Sequence, residues 1–212
     1  MWTSFSQNNC NTYLVGSSPK MLIDPGHLHL FDHVAQGMEA DGLDRQKIGL
    51  VVATHSHPDH FEGVESFVDD PQVKIAVHPT EEEFLERTGR DFAQMMGLSM
   101  PKYRVDVYLD EGELEVDGLK FQIYHTPGHS PGHICLYWAE RKVLFSGDLI
   151  FNQGVGRTDF PGGDGRLLKE SINRMAELEI EMILSGHGEA IQGQEAVRRN
   201  FEFIKEAYFG LL

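Results

Sequence analysis

The chain has 212 residues, of which 41% are hydrophobic and 24% charged, a globular balance that one α/β domain accounts for. Its 33 acidic and 18 basic residues leave a formal charge of −15, which argues against nucleic acid and against anionic lipid as partners, since both need a basic surface. Cys10 and Cys135 are the only cysteines, too few for a disulfide framework, and two free buried thiols are expected. The first residues, "MWTSFSQNNCNTYLV", carry neither a basic start nor a long apolar stretch, so no secretory signal is read there. No run reaches the length of a membrane span, and a reducing cytoplasm is the expected compartment.

Short apolar runs alternate with helical patterns along the whole chain. "NTYLVG" (11–16) and "KMLID" (20–24) read as strands, the second stopped by Pro25-Gly26. Leu30, Val34 and Met38 recur at a four-residue step in "LFDHVAQGMEADG", which predicts a helix ending at Gly42. "IGLVVA" (48–53) is continuously apolar, as in a strand buried on both faces. Phe61, Val64, Phe67 and Val68 share one helical face, and "KIAVH" (74–78) predicts the next strand. Thr80 and Glu83 have the spacing of a capping box, so a helix is predicted to start at Thr80. Strands dominate 105–147. A helix over 164–178, a strand "EMILSG" (181–186) and a helix over 193–208 close the chain. Two blocks of strands flanked by helices predict two packed sheets covered by helices, in a single domain spanning 1–212.

Four of the apolar strands run out into small or turn residues and then reach a metal-binding side chain. "IGLVVAT" precedes His55, "FQIYHTPG" precedes His129, "KVLFSG" precedes Asp148 and "EMILSG" precedes His187. Rigid scaffolds place their chemistry in such loops. The segment "THSHPDH" adds His57, Asp59 and His60. His55 and His57, two apart in extended chain, point the same way, whereas Pro58 suits the first position of a helix whose first turn carries Asp59 and His60 elsewhere. One short segment can thus feed two neighbouring positions, each completed by a distant histidine, with Asp148 able to bridge them. Imidazole and carboxylate donors without thiolate suit zinc, iron or manganese in an enzyme. His27, His29, His33 and His78 are read as ordinary surface or core histidines. His125 and His133, which flank His129, are open between a supporting role and none.

These motifs resemble the metallo-β-lactamase superfamily: "THSHPDH" matches HxHxDH, "HTPGHSPGH" carries the third histidine, "FSGDLIF" the bridging aspartate and "SGHGE" the last histidine, with "LIDPG" ahead of them. The resemblance implies an αββα four-layer sandwich. It implies a first metal on His55, His57 and His129, a second on Asp59, His60 and His187, and Asp148 shared. "GVGRTDFPGGD" (154–164) is similar to single-domain glyoxalase II-like hydrolases, which implies thioester hydrolysis of a small-molecule substrate by hydroxide, with Asp59 both ligating and orienting the nucleophile. A near variant of "GRTDF" belongs to persulfide dioxygenases, which hold one iron on the equivalents of His55 or His57, His129 and Asp148. That is the alternative reading, and a non-catalytic metal-binding protein is a third. Only residues 188–212 follow the last histidine, so the C-terminal helical domain of full-length glyoxalase II is expected to be absent.

Three further expectations concern substrate and partners. Arg157 either meets an anionic substrate group or pairs with Asp159 to fix its loop. Met95, Met96 and Met100 are read as core ahead of pocket lining. Tyr208, Phe209, Leu211 and Leu212 offer a contact for a second subunit in a homo-oligomer.

Overall fold

A computed structural model of the chain describes residues 9–18 and 20–212; most of the segment read for a secretory signal lies outside them. The chain divides into two compact units. The first runs to Leu109 and takes in Glu115–Leu119, and the second holds Asp110–Leu114 and Lys120–Leu212.

The first unit is built on a five-stranded sheet of β1 (Tyr13–Val15), β2 (Lys20–Ile23), β3 (Ile48–Val52), β4 (Lys74–Val77) and β5 (Val107–Tyr108), in that order. β1 and β2 form an antiparallel hairpin, while β2, β3, β4 and β5 pair in parallel. Side chains alternate along a strand, so Leu22, Val51, Ile75 and Val77 share a face. They pack with Phe31, Val34 and Met38 of α1 (Phe31–Ala40) and with Phe61, Val64 and Phe67 of the next helical segment. Met21, Ile23, Val52 and Ala76 on the opposite face are buried as well. The continuous apolar run of β3 is thus buried on both faces, and each large side chain there contributes roughly 1.5–3 kcal/mol.

Because β2, β3 and β4 run in parallel, their C-terminal ends reach one edge of the sheet. The helix after β3, α2 (Pro58–Phe61), starts on Pro58 as read from the sequence and continues as a 3-10 turn through Phe67. The helix after β4 departs from expectation. α3 (Pro79–Phe84) is capped by His78, whose Nδ1 accepts the Thr80 N–H at 3.2 Å. Proline at the first helical position, which has no N–H to satisfy, moves the start one residue ahead of the Thr80–Glu83 box. A π-helical stretch, Leu85–Gly89, leads into α4 (Arg90–Met95). At its end Met95 and Met96 are exposed, and only Met100 packs against the core. The core reading fails for the first two because the helix stops at Gly97, whose φ of +73° turns the chain.

A six-stranded sheet, which lies in the second unit except for Glu115, Val116 and Leu119, has the order β13-β12-β9-β8-β7-β6. Its strands are β6 (Gly112–Val116), β7 (Leu119–His125), β8 (Ile134–Trp138), β9 (Val143–Gly147), β12 (Met182–Ser185) and β13 (Ile191–Gln192). A separate small hairpin joins β10 (Ile150–Phe151) to β11 (Gly154–Val155). Cys135, Tyr137, Leu144 and Ile183 form a core with Leu168, Ile172 and Met175 of α5 (Gly165–Met175) and with Val197, Phe201 and Ile204 of α6 (Gln194–Tyr208). Asp164 caps α5 by accepting the Leu167 N–H at 3.0 Å. The apolar tail largely serves its own unit: Tyr208, Phe209 and Leu212 pack on this core, and Leu211 is exposed.

Strand direction again gathers ends. β9 is parallel to β12 and antiparallel to β8, which is antiparallel to β7. β7, β9 and β12 therefore all finish at one edge. The Gly186 N–H donates to the Gly147 carbonyl at 2.8 Å, tying two of those ends together. Cys10 and Cys135 are both buried, and no disulfide joins them, as expected.

Candidate metal centre

Each unit presents a group of histidine and aspartate side chains at its strand ends. In the first unit β3 leads into Thr54 and then His55, His57, Asp59 and His60, and the three imidazoles are buried. The ring centroids of His55 and His57 are 4.8 Å apart, and those of His55 and His60 4.1 Å. His60 is thus gathered beside His55, closer than the separate directions expected for the two ends of the motif. Phe92 flanks the His57 ring at 5.0 Å.

Asp24, at the end of β2, organises this group. Its Oδ1 accepts the Thr54 N–H at 2.7 Å, and its Oδ2 accepts the Thr54 hydroxyl at 2.8 Å and His60 Nδ1–H at 2.9 Å. Since Thr54 spends its hydroxyl proton on Asp24, its oxygen is left to accept from His55 Nδ1–H at 3.0 Å. Both rings are thereby fixed as the tautomer whose Nε2 lone pair is available to a metal. Asp24 achieves this at φ +53°, a left-handed conformation that aspartate tolerates better than most residues. On the other side Glu81, itself buried, accepts the Ser56 N–H at 2.8 Å and the Ser56 hydroxyl at 2.5 Å. The residue between His55 and His57 is therefore pinned. Asp59 completes the group, its Oδ2 lying 3.9 Å from His60 Nε2.

In the second unit Asp148 stands between two imidazoles. Its Oδ2 is 3.5 Å from His129 Nε2 and 3.4 Å from His187 Nε2. The carbonyl of Arg157 accepts from His129 Nδ1–H at 2.7 Å, which again turns Nε2 toward the carboxylate. The Asp148 N–H donates to His133 Nε2 at 3.0 Å, and the other nitrogen of that ring bonds the Thr126 hydroxyl at 2.8 Å. His133 thus anchors the backbone that carries Asp148, which answers the question the sequence left open. His125 bonds the Pro131 carbonyl at 2.9 Å and has no part in the donor group. Gly156 allows the close approach of the following loop, since a Cβ there would sit 1.9 Å from the Asp148 carbonyl oxygen and 3.0 Å from the His129 ring.

The guanidinium of Arg157 pairs in two-pronged fashion with Asp159, at 2.7 and 2.6 Å, and lies 3.7 Å from the centroid of the Phe160 ring. The arginine beside it holds the Asp159 carboxyl down to about 2. This is the loop-fixing arrangement of the two considered from sequence. Of the histidines read as ordinary, His33 is exposed and His78 caps α3. Asp24 and Glu81 were missed as supporting residues. The signal for Asp24 was the "LIDPG" motif, whereas nothing local marks Glu81.

Every predicted metal ligand therefore lies in one of two donor groups, one in each unit, and in His55, His60 and His129 a hydrogen bond at Nδ1 presents Nε2 as the ligating nitrogen. Burying so many imidazoles and carboxylates is costly unless a cation compensates them. The donor set fits divalent metal, through oxygen and nitrogen donors backed by a second layer of acceptors.

Comparison with known proteins supports the same conclusion. The model of the metallo-beta-lactamase superfamily matches residues 6–187, and the chain belongs to that superfamily of metal-dependent hydrolases. It is 34% identical over 195 residues to the hydroxyacylglutathione hydrolase GloC of Haemophilus influenzae, covering 88% of this chain and 87% of that one. The crystal structure of TTHA1623 in a di-iron-bound form is 33% identical, with a TM-score of 0.74 over 90% of this chain and 93% of its own. The B3 metallo-beta-lactamase BLEG-1 is 27% identical, with a TM-score of 0.78 over 94% of each chain. The fold is the metallo-β-lactamase fold that the motifs implied.

Proposed function

We propose that the two donor groups act together as one dinuclear centre that hydrolyses a thioester. In this reading His55, His57 and His129 hold one ion, Asp59, His60 and His187 the other, and Asp148 is shared. The observation that carries it is the position of Asp148 Oδ2, nearly equidistant at 3.5 and 3.4 Å from the Nε2 atoms of two histidines assigned to different ions. A mononuclear centre on two histidines and Asp148 leaves His60, its Asp24 partner and His187 without purpose. The likeness to GloC supports a hydroxyacylglutathione-type substrate. Zinc, iron and manganese all suit these donors.

When bound, such a pair of ions supplies Lewis acidity and brings the pKa of water to ~7. The chain's own part is orientation. Asp24, Thr54 and the Arg157 carbonyl keep three imidazoles in the ligating tautomer. Glu81 and His133 fix the backbones that carry His57 and Asp148. Asp59, partly exposed beside the buried His60, is placed to accept a hydrogen bond from the attacking nucleophile and aim it at the thioester carbonyl.

Protein loaded with zinc, manganese or iron should release thiol from lactoylglutathione or another acyl thioester without consuming oxygen. Oxygen uptake with glutathione persulfide and no thioester cleavage would instead establish the single-iron oxygenase and overturn this reading.

A further inference from the structure

We propose that His27, His29 and Glu62 form a separate cation site for a divalent transition metal such as cobalt, nickel, copper or zinc, independent of the hydrolytic centre. Each offers one ligand atom, and the three atoms all lie within 4.8 Å of one another. His27 Nδ1 and Glu62 Oε2 already face each other at 2.8 Å, a little under the roughly 3.4 Å between two donors on a tetrahedral ion with bonds near 2.0–2.1 Å. The rings of His27 and His29 are 5.1 Å apart and tilted by 40°. Bringing atoms up to 4.8 Å apart to that tetrahedral spacing needs a movement of at most roughly 1.4 Å. His29 is exposed, and no hydrogen bond among the described residues holds its ring.

The remainder of the set is preorganised. Glu62 follows directly on α2, and its position against His27 is fixed by two backbone bonds. Gly26 N–H donates to the His60 carbonyl at 3.2 Å, and Gly63 N–H donates to the Gly26 carbonyl at 2.7 Å. A Cβ at Gly63 would lie 2.8 Å from Pro25, so glycine is what lets the two segments close. His27 is tied further by its N–H, which donates to Asn9 Oδ1 at 2.7 Å. His27 and Glu62 are buried, whereas His29 and Glu62 also line a groove with Leu28, Glu65, Leu98 and Met100. An ion held by two imidazoles and one carboxylate keeps coordination positions open, which water or a small anion from the adjoining groove would fill. A chain of net charge −15 concentrates cations at its surface.

The test is equilibrium dialysis of the full, chelator-stripped chain against Co²⁺, with cobalt counted per chain by elemental analysis. The wild type should hold one more ion per chain than His29→Ala, and His33→Ala, which removes a nearby exposed histidine outside the set, should match the wild type. Equal counts for the wild type and His29→Ala overturn the proposal, as does an equal loss in His33→Ala. The difference between variants reports this site, while the total count reports the hydrolytic centre, so the two readings fail separately.

Discussion

Asp24 Oδ2 and His60 Nδ1 meet at 2.9 Å across 36 residues of sequence, both fully buried. The same carboxylate holds Thr54 at two points and, through its hydroxyl oxygen, the ring of His55. One side chain at the end of β2 therefore sets the tautomer of both His55 and His60.

Asp24→Asn keeps the shape but replaces one acceptor oxygen with a donor amide. Metal affinity should fall about 10–100-fold, with kcat falling and KM for the thioester nearly unchanged. Metal content after dialysis, together with steady-state kinetics, checks this. A variant that retains full metal at wild-type rate would show that Asp24 is a structural cap and nothing more.

His133→Ala removes the acceptor of the buried Asp148 N–H. Leaving that group unsatisfied should cost about 1–3 kcal/mol in urea unfolding. The freed Asp148 should also weaken metal binding, so the loss of metal and the loss of stability are expected together. Wild-type unfolding and metal content would dismiss the anchoring role.

Gly156→Ala forces a Cβ to within 1.9 Å of the Asp148 carbonyl oxygen. The loop must shift, costing about 1–3 kcal/mol and most of the hydrolytic rate. Gly188→Ala is the control: its φ is +79° but nothing lies within 4 Å of the added carbon, so only a backbone penalty of ~1 kcal/mol is expected. Thermal unfolding and thioesterase rates of the pair should separate crowding from conformational strain.

Burial pushes the Cys135 thiol from its ordinary 9.0 up to about 12. The folded chain keeps a proton that the unfolded chain releases, so this residue's contribution to stability is complete below pH 9 and is lost as pH rises from about 9 toward 12. Cys135→Ala should flatten the decline of unfolding free energy over pH 9–11. In the native wild type at pH 8 neither buried thiol should react with a thiol reagent, and both should react once urea unfolds the chain.

The donors themselves were readable because each follows an apolar strand, and strand ends in a parallel arrangement reach a common edge. The spacing of "THSHPDH" needed only local geometry. What escaped the sequence depends on pairings between distant segments. Glu81 reaches Ser56 across 25 residues and His133 reaches Asp148 across 15, and no local pattern marks either. The start of α3 was misplaced by one residue because Pro79 and the His78 side chain outcompeted the Thr80–Glu83 box. Met95 and Met96 look like core by periodicity, but the helix ends before it can return them to the sheet.

His129 is held by the carbonyl of Arg157, a main-chain atom, rather than by a side chain. Whatever side chain stands at 157, that acceptor remains. Evolution can therefore rewrite the outward face of this loop without retuning the imidazole behind it. The tautomer of His129 is in that sense indifferent to which side chain residue 157 carries.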